Sequence, residues 1–363
     1  MKKNISIVTL LSGFALLIAG AIILSSCEGP EGPAGPAGPQ GEQGVQGDVG
    51  PAGPAGEDGN GTCVICHNDD VVLLAKQQQS LSSHHLTGGN YERNSSSCAP
   101  CHTHQGFVEW QATGSVAGSI EDPAPINCRT CHMIHMNYDE TDWTLSTTDA
   151  VTFIHTGVTA DLEGSSNLCI NCHQSRSVSP MPEIGGGDVT VTSSRYGPHH
   201  GPQGNNLWGV GGYEYAGSES YPDPGSHPHA GLGCTSCHMA PVPYNDASAG
   251  GHTFNMNENV GACTGCHSVL EDQGDFDLNG VQTEVEDLLE QLATIFIDAG
   301  YLNAESGLWI IPDGGLVVSA DVAGAMLNFK TVEEDRSHGI HNPTYMLALL
   351  KNALEIMGAP APA

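Results

Sequence analysis

A five-residue pattern, Cys-x-x-Cys-His, occurs six times in this chain of 363 residues. Twelve of the 13 cysteines belong to these copies, so nearly every thiol has the same local arrangement. The copies are Cys63–His67, Cys98–His102, Cys128–His132, Cys169–His173, Cys234–His238 and Cys263–His267. A redox dithiol does not need the histidine. Paired zinc-binding motifs would lie at regular distances, and these copies are irregularly spaced.

The pattern is the attachment sequence of a c-type haem, in which both thiols bond to the porphyrin and the histidine coordinates the iron. From about residue 63 to residue 357 the chain resembles the multihaem c-type cytochromes. We therefore predict six covalently attached haem c groups. The thioether cysteines are Cys63, Cys66, Cys98, Cys101, Cys128, Cys131, Cys169, Cys172, Cys234, Cys237, Cys263 and Cys266. The proximal iron ligands are His67, His102, His132, His173, His238 and His267.

Composition indicates how such a chain folds. It has only 20 aromatic residues (Phe 7, Trp 4, Tyr 9), while Gly 47 and Pro 22 make up nearly a fifth of it. Few large side chains are available for an internal core, so the flat apolar cofactors must supply much of it. We predict a fold of mostly coil and α-helix, wrapped around six haems, with a small C-terminal helical cap.

The net charge is −31, with only ten lysines and arginines. Binding to nucleic acid requires a basic surface, so this partner is excluded. An acidic surface suits docking to a basic redox partner protein, such as another cytochrome.

Twelve histidines remain after the six proximal ones, enough to give each iron a second axial ligand. Sequence strings that resemble distal-ligand motifs of multihaem cytochromes include His85-Leu-Thr-Gly and the Cys-His-x-x-His of the third copy. With the histidine five residues before Cys234 as the sixth choice, the distal candidates are His85, His135, His199, His229, His252 and His341. His155 is an alternative to any one of them. We predict supporting or surface roles for His84, His104, His200, His227 and His338.

The N-terminus is typical of an export signal, because Met1-Lys2-Lys3 precedes an apolar run from Ile5 to Leu24. Leu24-Ser-Ser-Cys27 resembles a bacterial lipobox, in which Cys27 is lipidated after residues 1–26 are removed. An uncleaved membrane anchor is the alternative. Both interpretations place the remaining chain outside the cytoplasm, attached to a membrane in the periplasm or at the cell surface.

Residues 27–61 contain the lipidation site and a collagen-like stalk. From Gly29 to Asp58 there are ten consecutive Gly-X-Y triplets, and glycine at every third position is what the axis of a collagen triple helix requires. A single polyproline-II stalk explains the pattern equally well. The sequence therefore leaves a homotrimer and a monomeric spacer open.

The multihaem region is predicted to occupy residues 62–274, and residues 275–363 form a C-terminal cap. Apolar periodicity indicates helices that begin near Val281, Ala320 and Asn342, the last of which is capped by its asparagine. The cap begins with a match to the EF-hand calcium loop. Its candidate ligands are Asp275, Asp277, Asn279, the backbone carbonyl of Val281, and Glu286.

Together these features favour an electron carrier over an enzyme. A second histidine on each iron leaves no open coordination position, so we predict electron relay between a membrane-side donor and an external acceptor and assign no catalytic residue. Cys237-His238-Met239-x-Pro and Gly-Gly-His252-Thr also resemble the nitrite reductase and hydroxylamine oxidoreductase group. The alternative is therefore a nitrite, hydroxylamine or sulfur-oxyanion oxidoreductase with one open haem, although the Cys-x-x-Cys-Lys attachment motif often found in nitrite reductases is absent.

Overall fold

A computed structural model of the chain describes residue 67 and residues 73–83, 89–242, 248–257 and 259–358. All of these residues belong to one compact unit that begins at Glu57. Several sequence predictions lie outside the described residues: the export signal, Cys27, the Gly-X-Y stalk, Cys63, Cys66, His84 and His85.

The described chain is mostly helix and coil, as predicted. Its helices are α1 Leu73–Ser82, α2 Ala99–His102, α3 His104–Thr113, α4 Cys128–Cys131, α5 Ser165–Ile170, α6 Gln203–Trp208, α7 Pro228–Leu232, α8 Thr235–His238, α9 Val269–Gln273, α10 Val281–Asp298, α11 Ala320–Asp335 and α12 Pro343–Ile356. Its strands are β1 Val151–Thr152, β2 Thr159–Ala160, β3 Val189–Val191 and β4 Leu316–Val318. In the parts of the chain described here, no helix combines the length and apolar character needed to cross a bilayer.

Two small antiparallel sheets connect the coil regions. β1 and β2 form a local hairpin with Val151 opposite Ala160. β3 pairs with β4, with Val189 opposite Val318. The stretch from Gln174 to Gly233 is dominated by glycine, proline, serine and tyrosine, a composition that predicts loop. That prediction is wrong for β3, α6 and α7. The partner of β3 lies more than a hundred residues away, so no local pattern could indicate this strand.

The three long C-terminal helices form the main apolar core. Phe296, Trp309 and Phe329 meet edge to face, with ring centroids 5.2 to 6.0 Å apart. The indole N–H of Trp309 donates to the carbonyl of Tyr196 at 2.7 Å. This core also includes Val178, Val191, Tyr196 and Tyr213, so it draws on residues well before position 275.

Local sequence explains where these helices begin. The side chain of Asn342 accepts a hydrogen bond from the Tyr345 N–H at 3.1 Å, and Pro343 occupies the first turn of α12. The predicted capping of this helix by Asn342 is therefore confirmed. Helix α10 runs from Val281 to Asp298 with Leu288, Leu292 and other apolar residues buried, which confirms the predicted amphipathic helix.

A buried asparagine joins α11 to α12 and to the preceding coil. Asn328 is fully buried, and its side-chain amide N–H donates to the carbonyls of Tyr213 at 2.9 Å and Leu349 at 3.4 Å. Its side-chain oxygen accepts from the Tyr213 N–H at 2.6 Å. The Tyr213 N–H thus depends on this side chain, whereas the Tyr213 carbonyl also accepts from the Tyr215 N–H at 2.9 Å.

We expect Asn328→Leu to lower the free energy of unfolding by about 1–3 kcal/mol, because it leaves the buried backbone N–H of Tyr213 without an acceptor. Denaturant titration of the haem-loaded protein, followed by far-UV circular dichroism, measures the change. Thr294→Ala, on an exposed part of α10, is the control and should change stability by less than about 0.5 kcal/mol. Equal stability of the two variants would contradict the assigned role.

Candidate metal centres

Each described Cys-x-x-Cys-His copy closes one helical turn. In all five, the histidine N–H donates to the carbonyl of the first cysteine, at 2.9 to 3.1 Å. This bond places the first thiol and the imidazole one turn apart, and the second thiol lies between them on the same turn. The ten cysteines in the described ranges are free thiols. The local backbone therefore presents two thiols and one imidazole together, as covalent attachment of a porphyrin requires.

Five of the six proximal histidines face a second histidine. The centroids of the paired rings are 6.2 to 6.5 Å apart in every case. The pairs are His67 with His135 at 6.2 Å, His102 with His199 at 6.5 Å, His132 with His252 at 6.2 Å, His238 with His341 at 6.3 Å, and His267 with His229 at 6.2 Å. The second member of each pair is one of the distal candidates from the sequence.

This separation matches two imidazoles that share one metal ion. An imidazole nitrogen lies about 2.0–2.1 Å from a first-row metal ion such as zinc, and the ring centre lies about 1.1 Å further, so two opposite rings have centroids about 6.3 Å apart. The interplanar angles vary widely, from 26° to 85°, while the distance hardly changes. Histidines that are near neighbours in sequence are closer together, with His199–His200 at 5.1 Å and His227–His229 at 4.7 Å.

Hydrogen bonds to Nδ1 leave the other ring nitrogen, Nε2, free to bind iron. Carbonyl and carboxylate oxygens only accept, so an Nδ1 atom facing one of them must donate. A metal-binding histidine commonly donates its second ring N–H in this way. The bonds are His132 to the Trp143 carbonyl at 2.8 Å, His173 to Gln203 Oε1 at 3.1 Å, His229 to the Ile340 carbonyl at 2.7 Å, His238 to the Phe254 carbonyl at 2.9 Å, and His341 to Asp335 at 2.9 Å.

The alternative ligand, His155, has the opposite arrangement. Its Nε2 lies 3.1 Å from the carbonyl of Gly211, so the nitrogen that would bind iron already makes a hydrogen bond. The sixth predicted distal ligand, His85, lies outside the described residues. Its role as a distal ligand therefore stays a prediction.

Other histidines support the structure around these pairs. His200 pairs with Glu334 at 2.7 Å, and His338 pairs with Glu286 at 2.6 Å. The remaining contacts are His104 Nδ1 with the Thr130 hydroxyl at 3.0 Å and His227 Nδ1 accepting from the His229 N–H at 3.3 Å.

Two of the distal candidates have unusual backbone conformations. His135 and His199 both have φ near 65°, in the left-handed region that few non-glycine residues occupy. At His135 the carboxylate of Asp142 stabilises this conformation by accepting the His135 N–H at 2.7 Å. Asp142 also accepts from the backbone N–H of Asn137 and Tyr138. Burial tends to raise the pKa of Asp142, but these donors lower it below its usual range.

Burial also favours neutral imidazoles at several of these positions, and the neutral form is the one that binds a metal ion. Burial lowers the pKa of His199 to about 4, and the nearby charge of Arg176 acts in the same direction. His341 differs: burial tends to lower its pKa, but the Asp335 carboxylate reverses the effect and the net shift is upward.

The motifs also contact one another. The second and fourth copies meet reciprocally, with Cys101 Sγ 3.9 Å from the Asn171 carbonyl and Cys172 Sγ 3.9 Å from the Pro100 carbonyl. The fourth and fifth copies meet where the Ser165 and Thr235 hydroxyls lie 2.8 Å apart and where the Cys234 N–H donates to Ser166. The attachment sites are therefore grouped rather than distributed along an extended chain.

The side chains of the predicted calcium loop have other partners. Asp277 accepts from the Gln282 N–H at 2.7 Å and from the Thr283 hydroxyl at 2.6 Å, which caps α10. Glu286 pairs with His338. Within the described residues, no group of three histidine, cysteine, aspartate or glutamate side chains is placed to hold a metal ion. The calcium prediction thus stays a prediction.

Sequence reasoning missed the residues that orient the ligands. Asp142 and Asp335 are single acidic residues in a chain with 41 of them, and no motif distinguishes them. Gln203 lies in the string Pro-His199-His-Gly-Pro-Gln, and its proximity to the distal candidate His199 is the local signal that could have indicated its hydrogen bond to His173.

No protein-family model matches this chain, and no curated protein matches it. Two solved structures are similar. The outer cell wall cytochrome OcwA shares 16% sequence identity, with a TM-score of 0.45 over 78% of this chain and 50% of that one. The undecahaem cytochrome from the S-layer of Carboxydothermus ferrireducens shares 18% identity, with a TM-score of 0.42 over 80% of this chain and 40% of that one. This chain thus spans half or less of their lengths.

We expect Asp142→Ala to release His135 and leave one iron without its distal ligand, because three backbone N–H groups lose their shared acceptor. Electron paramagnetic resonance of the oxidised protein should then show one high-spin haem per molecule. Asp149→Ala, an exposed change nearby, is the control and should leave all irons low-spin. A low-spin spectrum in the Asp142 variant would contradict the role of this carboxylate.

Proposed function

We propose that this chain is an extracytoplasmic electron-transfer protein that relays electrons along six c-type haems, each with two histidine ligands. The donor lies on the membrane side and the acceptor is external. The observation that carries the proposal is the pairing of five proximal histidines with five second histidines, at a nearly constant 6.2 to 6.5 Å. The sixth pair in the proposal is His173 with His85.

The ligand set determines the chemistry. A bound haem supplies a one-electron carrier, and histidines on both faces leave no coordination position for a substrate. The chain holds the imidazoles in place through backbone carbonyls, Gln203 and Asp335, and these bonds to Nδ1 would leave Nε2 as the nitrogen that binds the iron of a haem. Rigid ligands reduce the reorganisation that accompanies electron transfer.

Contacts between motifs support relay from one centre to the next. The reciprocal contact of Cys101 and Cys172 with the opposite motif brings the second and fourth attachment sites together. Each centre is numbered by its Cys-x-x-Cys-His motif in chain order. His132 and His135 are three residues apart but belong to different pairs, so one short loop connects the third centre to the first. His229 pairs with His267 of the sixth motif and lies five residues before Cys234 of the fifth, so a short segment also connects these two centres.

The attachment to a membrane is proposed from the sequence alone. Lipidated Cys27 anchors the chain, and the Gly-X-Y stalk separates the haem region from the lipid, either as a homotrimer or as a single chain. The chain charge of −31 favours basic faces on redox partner proteins. The alternative, an oxidoreductase acting on a nitrogen or sulfur compound, requires one iron with an open position.

Electron paramagnetic resonance of the oxidised protein distinguishes the two functions. We expect only low-spin haems. The angle between the two imidazole planes controls the energy separation of the iron d orbitals. The pairs near 80°, His102–His199 at 78° and His229–His267 at 85°, should therefore give the most anisotropic signals.

The three pairs with angles of 26° to 37° should give more rhombic signals. The double variant Cys98→Ala, Cys101→Ala is the assignment control, because it should remove one of the two anisotropic signals. One high-spin iron per native molecule would instead favour the oxidoreductase.

Calcium binding at residues 275–286 is a separate part of the proposal and has its own test. If Asp275, Asp277, Asn279, the Val281 carbonyl and Glu286 bind calcium, the ion at about one hundred times its Kd should stabilise the protein by about 2.7 kcal/mol. Thermal melts with calcium or with a chelator measure this difference. Glu286→Gln should abolish it, whereas Glu290→Gln on the same helix should not. Identical melts of the native protein with and without calcium would refute the site.

A further inference from the structure

Among the five ligand candidates with a described Nδ1 hydrogen bond, His341 has a different kind of partner. His341 faces the carboxylate of Asp335, with both carboxylate oxygens 2.9 Å from Nδ1. Four other candidates donate instead to neutral oxygens. These four are His132, His173, His229 and His238.

Asp335 is a buried residue whose carboxylate accepts hydrogen bonds from several neighbouring groups. It is the last residue of α11 and is only 2% exposed. Besides His341, its donors are the side-chain amide of Asn206 at 3.2 Å and both the N–H and the hydroxyl of Ser337. The next residue in the chain, Arg336, has a side chain that is 74% exposed and contacts Glu334, not Asp335. In the described residues, the ion-pair partner of Asp335 is therefore His341 itself.

Electrostatics gives this contact a consequence for the iron. The oxidised centre carries one more positive charge than the reduced centre, so a buried negative charge nearby favours the oxidised form. A carboxylate that accepts the Nδ1–H also increases the electron donation of the imidazole to the metal. Both effects lower the reduction potential, and hydrogen bonding around the ligands is one of the means by which a protein adjusts it.

We propose that Asp335 lowers the reduction potential of the haem held by Cys234, Cys237, His238 and His341, so that this haem is the last of the six to be reduced. The inference rests on the proposed function, because it assumes that these residues hold a haem. It goes beyond that function by assigning the lowest potential to one centre and naming the side chain that sets it.

The position of this centre gives the low potential a role. His229, the distal candidate of the sixth centre, donates to the carbonyl of Ile340, the residue before His341. His238 donates to the carbonyl of Phe254, two residues after the distal candidate of the third centre, His252. The fifth centre is thus linked to both the third and the sixth. An electron passing between these two through the fifth must enter the haem that is hardest to reduce.

The test is a potentiometric titration of the full-length, haem-loaded protein, followed by optical and electron paramagnetic resonance spectra. Asp335→Asn should move the lowest-potential component to higher potential and leave the other five in place. Glu333→Gln is the matched control, because this exposed neighbouring carboxylate pairs with Lys330 and contacts no ligand candidate, so it should shift no component. Asp335→Glu keeps the charge and should retain a low-potential component.

An unshifted curve for Asp335→Asn, or a shift of a component other than the lowest, would overturn the inference. Mass spectrometry of each variant gives the haem count, so a protein that lacks six haems counts against the proposed function and not against the role of Asp335. If Asp335→Asn does not fold, the inference can still be tested on the native protein. Near-infrared magnetic circular dichroism of the native oxidised protein should show one haem with a charge-transfer band displaced from the rest, and six coincident bands would overturn the inference.

Discussion

The structure depends on bringing two imidazoles together, with ring centres about 6.3 Å apart. This requirement recurs five times in the described chain and connects residues that are far apart in sequence, such as His238 with His341 and His102 with His199. Four of these pairs join a described Cys-x-x-Cys-His turn to a distal candidate elsewhere in the chain. Three of these candidates lie outside the α-helices and strands, and the fourth, His229, lies in α7. In the proposed function, ligand bonds would therefore order a chain that is poor in large apolar side chains.

The apolar core has a complementary role. Helices α10, α11 and α12 bury Phe296, Trp309 and Phe329 against one another and form a conventional side-chain core. Helix α11 ends at Asp335, which contacts His341, and the cap of α12 follows directly at Asn342. The helical core thus positions the ligand candidate that contacts a buried carboxylate. Asp335, His341 and Asn342 consequently link the packing of α11 and α12 to the electrostatics of the proposed fifth metal centre.

Much of this arrangement could be predicted from local sequence, and part of it could not. Helix α10 and the Asn342 cap follow from patterns within about twenty residues, and the structure confirms both. The strand Val189–Val191 could not be predicted, because its partner is Leu316–Val318 and the intervening chain shows no periodicity. The same limit applies to Asp142 and Asp335, whose importance comes from the groups that they face rather than from their neighbours in sequence.

The sequence by itself determined the attachment chemistry, because two thiols and a histidine on one helical turn are a local property of five consecutive residues. It also supplied the distal candidates, through their resemblance to known motifs. Only the tertiary structure decided which histidine faces which and what each Nδ1 contacts. Those relations depend on the path of the chain between distant residues, and a path built from glycine-rich coil is set by long-range contacts, which local sequence does not encode.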